Sequence, residues 1–258
     1  MNEASVQLLA SVLGAVGSVS AAIASFVTVY LVSRDFSARF SPKIDLEPRS
    51  FEIKVNRAAL DDFFRQEPNS IYKYVNGGET NYTESIVNFG KGSAHDVSLS
   101  LSFHSLDQIR GILAKMEAEA DVSVWHEPDG WGQSIYVGGK CIGGVREIEG
   151  RYSFIPWVGG SGNAPTREKT HINPSLQFVC LCCAYWLMHR RMNHDIVEPD
   201  VQFDFSTDIQ YSDDLKNKWH VSIDRKVTVK GGRYKDDMSD GITLLQIDNV
   251  KRIERRVD

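Results

Sequence analysis

The longest apolar stretch of the chain lies at its beginning. No Asp, Glu, Lys, Arg or His occurs between Glu3 and Arg34. A helix over residues 5–33 would be roughly 40 Å long, longer than the ~30 Å hydrocarbon core of a bilayer. Uncharged, mostly apolar runs of ~18 or more residues are typical of transmembrane helices. The pattern therefore predicts a transmembrane helix in residues 1–34 and a juxtamembrane linker in residues 35–42.

Two other structures can contain an apolar run near the N-terminus. A secretory signal peptide has a basic n-region and a short apolar core, whereas this chain begins MNEAS and its apolar run is long. A buried helix of a soluble domain rarely stays uncharged over so many residues. Both comparisons favour the membrane span.

The residues of the span sort by size around the helix. On a heptad with Ser11 at position a, positions a and d are small or hydroxylated: Ser11, Gly14, Ser18, Ala21, Ser25 and Thr28. Val12, Val19 and Ile23 fall on the other side. Small faces let membrane helices approach closely, and Ser or Thr can hydrogen-bond across the contact. We expect a homo-oligomer through this face, either a tight dimer or a wider ion-conducting bundle, although small residues are also common in membrane spans generally.

Basic residues follow the span, and only Glu3 precedes it. They are Arg34, Arg39, Lys43 and Arg49. An excess of Lys and Arg just beyond a span favours the cytoplasmic side. This predicts an external N-terminus and a cytoplasmic C-terminal domain.

Apolar and polar residues alternate beyond the linker with the period of half-buried strands. The alternation is clearest in residues 97–103, 201–211 and 219–229, and glycines 90 and 92 mark a hairpin turn. The apolar run at residues 176–188 is too short to cross a bilayer and fits a buried helix or a buried strand. Asn173 and Pro174 before it are typical of a helix start.

These segments predict a mainly antiparallel β-sandwich in residues 43–229, with one or two inserted helices. Residues 230–258 are polar and basic, and we expect them to form a C-terminal tail with a short helix over residues 244–257.

Composition and motifs exclude several functions. The net charge of −5 excludes a globally basic nucleic-acid-binding protein. Gly90-Lys91 lacks the G-x-x-x-x-G-K-[ST] pattern of a phosphate loop. The seven histidines show no metal spacing, and no G-x-S-x-G motif is present. We therefore expect no enzymatic activity, no metal and no other cofactor.

Cysteine usage agrees with a reducing compartment. There are four cysteines, without a second ligand pair at zinc spacing: Cys141, Cys180, Cys182 and Cys183. The last three lie in the apolar run, so we expect them to be buried, reduced thiols.

Several basic residues are candidates for binding an anionic ligand. Four flank the glycine-rich loop at residues 159–163, and two follow the apolar run: Arg151, Arg167, Lys169, His171, Arg190 and Arg191. Arg binds phosphate through a planar fork, and Lys adds a point charge. Ordinary surface charge is the alternative, and basic residues at a helix C-terminus also interact favourably with the helix dipole.

Two segments resemble a known class of bacterial membrane protein. They are VNFGKGSAHDVSLSLSF (residues 87–103) and FDFSTDIQYSDDLKNKWHVSI (residues 203–223). They resemble the first and closing hairpins of proteins with one N-terminal span and a cytoplasmic immunoglobulin-like sandwich, and the resemblance covers residues 42–229. Many such proteins look like membrane effectors of antiphage defence operons, including Hailong-type effectors. The resemblance implies a bacterial inner-membrane location, an operon-encoded nucleotidyltransferase as partner, and a nucleotide or short oligonucleotide as ligand.

Three functions remain open at this point. The soluble domain could sense a ligand while the helix bundle changes membrane permeability. The span could instead be an anchor for a protein-interaction scaffold without channel activity, or the chain could be an unrecognised hydrolase. The face of small residues favours the first, because an anchor alone has no need for it.

Overall fold

The computed structural model describes residues 3–56, 83–104, 107–119, 122–126, 132–137, 140–146, 148–194, 199–234 and 240–257. The helices are α1 (Glu3–Phe40), α2 (Asp107–Glu119) and α3 (Pro174–His194). The first strands are β1 (Ile44–Leu46), β2 (Arg49–Asn56), β3 (Thr83–Asn88), β4 (Ala94–Phe103), β5 (Val122–His126) and β6 (Gly132–Val137). The remaining strands are β7 (Lys140–Arg146), β8 (Ile148–Val158), β9 (Thr166–His171), β10 (Val201–Asp213), β11 (Lys218–Tyr234) and β12 (Asp240–Val257).

α1 is an apolar helix that projects away from the rest of the chain. None of the segment Gly14–Phe36 is buried, and by length and composition this segment could cross a membrane. The helix does not end at residue 34 but continues to Phe40, so most of the predicted linker is helical. It stops just before Pro42, which disfavours helical geometry at the preceding residue.

The body that follows α1 is a curled antiparallel β-sandwich, as predicted. Six strands form the larger sheet in the order β2-β12-β11-β10-β4-β8. A three-stranded sheet, β1-β3-β9, packs on one end of its inner face. The core between them contains Ile44, Leu46 and Ile86 from the small sheet and Leu99, Ile209 and Ile223 from the large one. A third antiparallel sheet has the order β5-β6-β7.

α3 covers the other end of the larger sheet. The apolar run at residues 176–188 is therefore a buried helix, and every residue from Phe178 to Met188 is buried. Asn173 caps it: its side-chain Oδ1 accepts a hydrogen bond from the Leu176 amide at 3.0 Å. This confirms the predicted helix start. The three cysteines of α3 are buried and free, also as predicted.

A buried ion pair lies between the two cores. Arg225 donates to Glu84 at 2.5 Å, and the two side chains are 1% and 3% exposed. Tyr152 donates to the other oxygen of Glu84 at 3.1 Å. Burial, and then the Glu84 charge, raise the pKa of Tyr152 well above its ordinary value. Arg225 thus separates Val221 and Ile223 of one core from Val227 and Val229 of the other.

The predicted C-terminal tail is wrong. Its boundary after Val229 falls within β11, and the segment expected to be a short helix belongs to β12. β12 pairs with β11 on one side and with β2 on the other. Thr243, Leu245 and Ile247 are buried on its inner face, while the basic residues occupy its far end. Residues 240–257 form a strand because β11 has a long edge whose backbone N–H and C=O groups need hydrogen-bond partners.

Candidate functional site

Three of the predicted ligand-binding residues share one face of β9. Arg167, Lys169 and His171 alternate along this edge strand and are all exposed. Arg167 donates to Glu47 at 2.7 Å, and this bond holds the pKa of the Glu47 carboxyl below its ordinary value. The Arg167 charge is therefore already paired.

The other three predicted residues lie on β8, which adjoins β9, and on α3. Arg151 is exposed on β8, with its guanidinium 5.5 Å from the centre of the Phe154 ring. Arg190 and Arg191 are half-buried near the end of α3. At ~1.5 Å per residue, Arg190 lies about 24 Å along the helix from Pro174, which follows β9 closely. The six residues therefore do not form one site.

A cleft adjoins the end of α3. Its volume is about 260 Å³, and it lies between α2, α3 and the start of β10. Its lining consists of Ile112, Lys115, Trp186, Leu187, Pro199, Asp200, Val201 and Gln202. The Arg190 guanidinium lies 5.6 Å from the centre of the Trp186 ring and so places a cation beside the cleft. Because small-ligand sites usually measure ~300–1,000 Å³, this cleft is just below the small end of that range.

The cleft combines positive charge, hydrogen-bonding groups and apolar surface, although the sequence identified only part of it. Lys115 and Arg190 supply positive charge, and Asp200 and Gln202 supply hydrogen-bonding groups. Sequence reasoning found Arg190 but missed Lys115 and Trp186. Lys115 looks like an ordinary solvent-facing residue of a helix, and Trp186 looks like core.

Three histidines pair with aspartates on the sandwich. They are His95 with Asp214, His104 with Asp224 and His220 with Asp208. The partners of His95 and of His104 lie more than a hundred positions away, so no sequence motif reveals these pairs. The His95 hydrogen bond lowers the pKa of the Asp214 carboxyl.

His104, Ser206 and Asp224 are the residue types of a hydrolytic triad, but they are not arranged in the order that a triad requires. His104 Nε2 lies 2.5 Å from Ser206 Oγ, and Ser206 donates to Asp224 at 2.9 Å. In a triad the histidine lies between nucleophile and carboxylate. Here the serine bonds to the carboxylate directly, and the same nitrogen, His104 Nε2, faces both groups, so the histidine does not lie between them.

The junction between α1 and the sandwich is closely fitted. The last residue of α1, Phe40, and the segment that follows it, residues 41–43, lie against the glycines of the β3–β4 turn. A Cβ on Gly92 would lie 1.6 Å from the Phe40 carbonyl oxygen, and one on Gly90 would lie 2.2 Å from that of Ser41. Only glycine therefore fits at either position.

Asn88 holds this junction together from inside. It is completely buried, and its Oδ1 accepts hydrogen bonds from the amides of Lys43 at 3.0 Å and Gly90 at 2.9 Å. Its Nδ2 donates to the carbonyls of Gly92 at 2.8 Å and Gly159 at 2.9 Å. One side chain thus joins the segment that follows α1, the hairpin turn and the loop after β8. Sequence reasoning predicted the turn but not its contact with α1.

The small face of α1 carries its own hydrogen bonds. The hydroxyls of Ser18, Ser25 and Thr28 donate to backbone carbonyls four residues earlier, at 2.8–2.9 Å. No heavy atom lies within 4 Å of a Cβ built on Gly14, apart from the helix's own local backbone. At ~100° per residue, all six predicted contact residues fall within about 100° of the helix circumference. The predicted face of small residues is therefore present on α1. That this face associates with other copies of the helix stays a prediction.

No family model, curated protein or solved structure matches this chain. The resemblance to bacterial antiphage effectors therefore stays a prediction.

Proposed function

We propose that the chain is a membrane-anchored, self-associating effector whose sandwich senses a nucleotide or oligonucleotide and controls a bundle of α1 helices that permeabilises the membrane. The observation that carries this proposal is an exposed apolar helix, bearing a small-residue face, joined tightly to a folded domain. An unbonded or flexible connection would let the helix move independently of the domain. Here the Asn88 bond to Lys43 holds the segment just after α1 on the sandwich, and the last residue of the helix, Phe40, lies against Gly92.

Helix association in this proposal rests on close packing. Because the Ser and Thr hydroxyls of the small face already bond to their own helix, they are satisfied in lipid without a partner. Gly14 and Ala21 then allow neighbouring backbones to approach closely. The same self-bonded hydroxyls can line a water-filled bundle, which is why the face suits a pore as well as a dimer.

The cleft beside α3 is the proposed ligand site. A base would pack against Ile112, Leu187 and Trp186, and a phosphate would lie near Lys115 and Arg190. A nucleotidyltransferase encoded in the same operon is the proposed source of the ligand. The location is the bacterial inner membrane, with the N-terminus outside and the sandwich in the cytoplasm. Ligand would favour assembly to the extent that the assembled state binds it more tightly.

Two matched sets of α1 variants test the assembly. Gly14→Leu, Ser18→Leu and Ala21→Leu add bulk to the small face and keep it apolar, whereas Val12→Leu, Val19→Leu and Ile23→Leu change the other side. We expect the first set to insert but to lose crosslinked oligomers and ion flux in reconstituted vesicles, and the second set to behave like wild type. Equal effects from both sets would refute the proposed face. Oligomers that survive the first set would mean that the sandwich, not the helix, holds the assembly together.

A second comparison tests the ligand site. Arg190→Gln with Lys115→Gln should weaken nucleotide binding by the full chain about tenfold or more, and should reduce its salt dependence. Arg167→Gln with Lys169→Gln on β9 is the matched control and should leave binding unchanged. If the β9 pair matters and the cleft pair does not, the site is on β9. No nucleotide binding by wild type removes the sensor role while leaving the anchored scaffold.

A further inference from the structure

We propose that the end of the sandwich nearest α1 rests on the membrane surface and binds anionic lipid headgroups. The inference rests on α1 spanning the bilayer, as in the proposed function. The candidate span ends at Phe36, and Phe40 already contacts the hairpin turn at Gly92. Four residues of helix cover only about 6 Å. The headgroup layer beyond each side of the hydrocarbon core is about as thick, so this end of the sandwich lies at headgroup depth.

Hydrogen bonds connect several turns into one surface at this end. The Ser93 amide donates to Asp214 at 2.9 Å, which joins the β3–β4 turn to the β10–β11 turn. Arg256 donates to Asn217 at 2.5 Å, which adds the end of β12. The exposed apolar and basic residues of this surface form what we call the proximal rim: Phe89, Lys91, Leu215, Lys216, Lys218 and Arg256.

The composition of the proximal rim fits a lipid surface better than water. Phe89 and Leu215 lie at the tips of two adjacent turns, and their side chains are 54% and 55% exposed. Lys216 has a φ of 62°, a left-handed conformation that a turn tolerates but that costs a non-glycine residue free energy. Four basic residues surround the two apolar tips. Two exposed acids, Asp96 and Asp214, also lie at this end, and Asp214 is bonded to His95, which leaves the four basic residues in excess.

The positive charge of the proximal rim favours anionic lipid as its binding partner. Basic residues close to an anionic leaflet attract it by about 1 kcal/mol each, which is about fivefold in the contact equilibrium. Apolar tips flanked by Lys and Arg are typical of segments that lie at a membrane interface. Contact at this end would also orient the sandwich, because Asn88 holds the segment after α1 and Phe40 of α1 lies against Gly92.

The test uses the full chain, in a Cys141→Ser background, reconstituted in vesicles with nitroxide quenchers at headgroup depth. A fluorophore is attached to Phe89→Cys, Leu215→Cys or Val250→Cys; the cysteines of α3 are buried and should not react. Val250 is the matched control because it is 66% exposed but lies about 23 Å along β12 from Val257. We expect quenching at positions 89 and 215 but not at 250, and stronger quenching when phosphatidylglycerol is added to phosphatidylcholine. Lys91→Gln and Lys216→Gln should each weaken the contact about fivefold.

Each outcome bears on a different claim. Protein that alkaline carbonate extracts from the vesicles would show that α1 does not span the bilayer, and the proposed function fails with it. Protein that resists extraction but shows no quenching at 89 and 215, or equal quenching at 250, overturns the proximal rim alone. Quenching that is independent of anionic lipid and of both lysines overturns the headgroup assignment.

Discussion

α1 and α3 are both apolar helices, yet their surroundings are opposite. α1 has 38 residues, and none of Gly14–Phe36 is buried. α3 has 21 residues, and every residue from Phe178 to Met188 is buried. α3 contacts β2, β11 and β12 of the large sheet and also β7 of the third sheet. α3 is therefore enclosed by protein, whereas the segment Gly14–Phe36 of α1 is not covered by the rest of the described chain.

This difference shows that apolar composition alone does not assign an environment. Length decides more: α1 is longer than a hydrocarbon core, and the apolar run of α3 is too short to cross one. The capped start at Asn173 and the basic end at Arg190 and Arg191 also mark α3 as a helix within a folded domain. A helix that is apolar on all sides is either buried in protein or placed in lipid. α3 is the first case, and α1 is long and apolar enough for the second.

The largest effect should come from removing a ring that α3 buries. Phe178→Ala should lower the free energy of unfolding of the sandwich by about 3–5 kcal/mol, because the ring is 2% exposed and leaves a cavity. Phe26→Ala, in which the lost ring is 75% exposed, should change it by less than about 0.5 kcal/mol. Denaturant titration of the two variants and wild type in detergent measures these changes in the free energy of unfolding. Similar losses would mean that α1 packs on the sandwich after all.

A smaller effect should come from the junction that joins α1 to the body. Asn88→Ala leaves two amides and two carbonyls without their side-chain partner, and we expect a loss of about 2–3 kcal/mol. Asn163→Ala, in an exposed loop, is the matched control and should change stability by less than about 0.5 kcal/mol. Limited proteolysis should also cut Asn88→Ala faster between α1 and β1. Wild-type cleavage kinetics in that variant would argue against the junction as a rigid connection.

The smallest effect concerns how the free energy of unfolding depends on pH through a thiol of α3. Burial raises the pKa of the Cys183 thiol from 9.0 to about 12. Its stabilising contribution is thus complete below about pH 9, where the thiol is neutral in both states. Above that pH only the unfolded thiol ionises, so the contribution should fall by up to about 1.4 kcal/mol per pH unit until the folded pKa is reached.

Comparing wild type with Cys183→Ala isolates this thiol from the tyrosines that also titrate at high pH. Between about pH 9 and pH 11, the free energy of unfolding should fall less steeply with pH in the variant than in wild type. The difference between the two slopes should be that expected for one ionising thiol. Parallel curves would mean that Cys183 is accessible in the folded protein.

Local patterns predicted many elements because they depend on residues close together in the chain. The alternation in residues 97–103 and 201–211 predicted strands that are now β4 and β10. Asn173 and Pro174 predicted the start of α3 from capping chemistry alone. β12 was missed because its basic far end looked like a solvated tail, whereas pairing with β2 and β11 decides its conformation.

The candidate site could be predicted only in part. Arg190 was identified as a basic residue after the apolar run, but its neighbour in the cleft, Lys115, comes from a different helix. Grouping Arg167 with Arg190 failed because β9 and the end of α3 are separated by most of the length of that helix. Closeness in sequence shows little about closeness in space once a helix lies between two residues.

The sequence by itself determined the apolar helix α1, its small-residue face and the strand-forming segments of the sandwich. Each of these depends on a local period of side chains, which is the same in any surroundings. Only the tertiary structure decided that Asn88 ties α1 to the hairpin turn, that β12 completes the large sheet, and that Arg225 pairs with Glu84 inside it. Those contacts join residues that are 45 to 141 positions apart, or whole strand edges, and depend on the long-range packing of the chain.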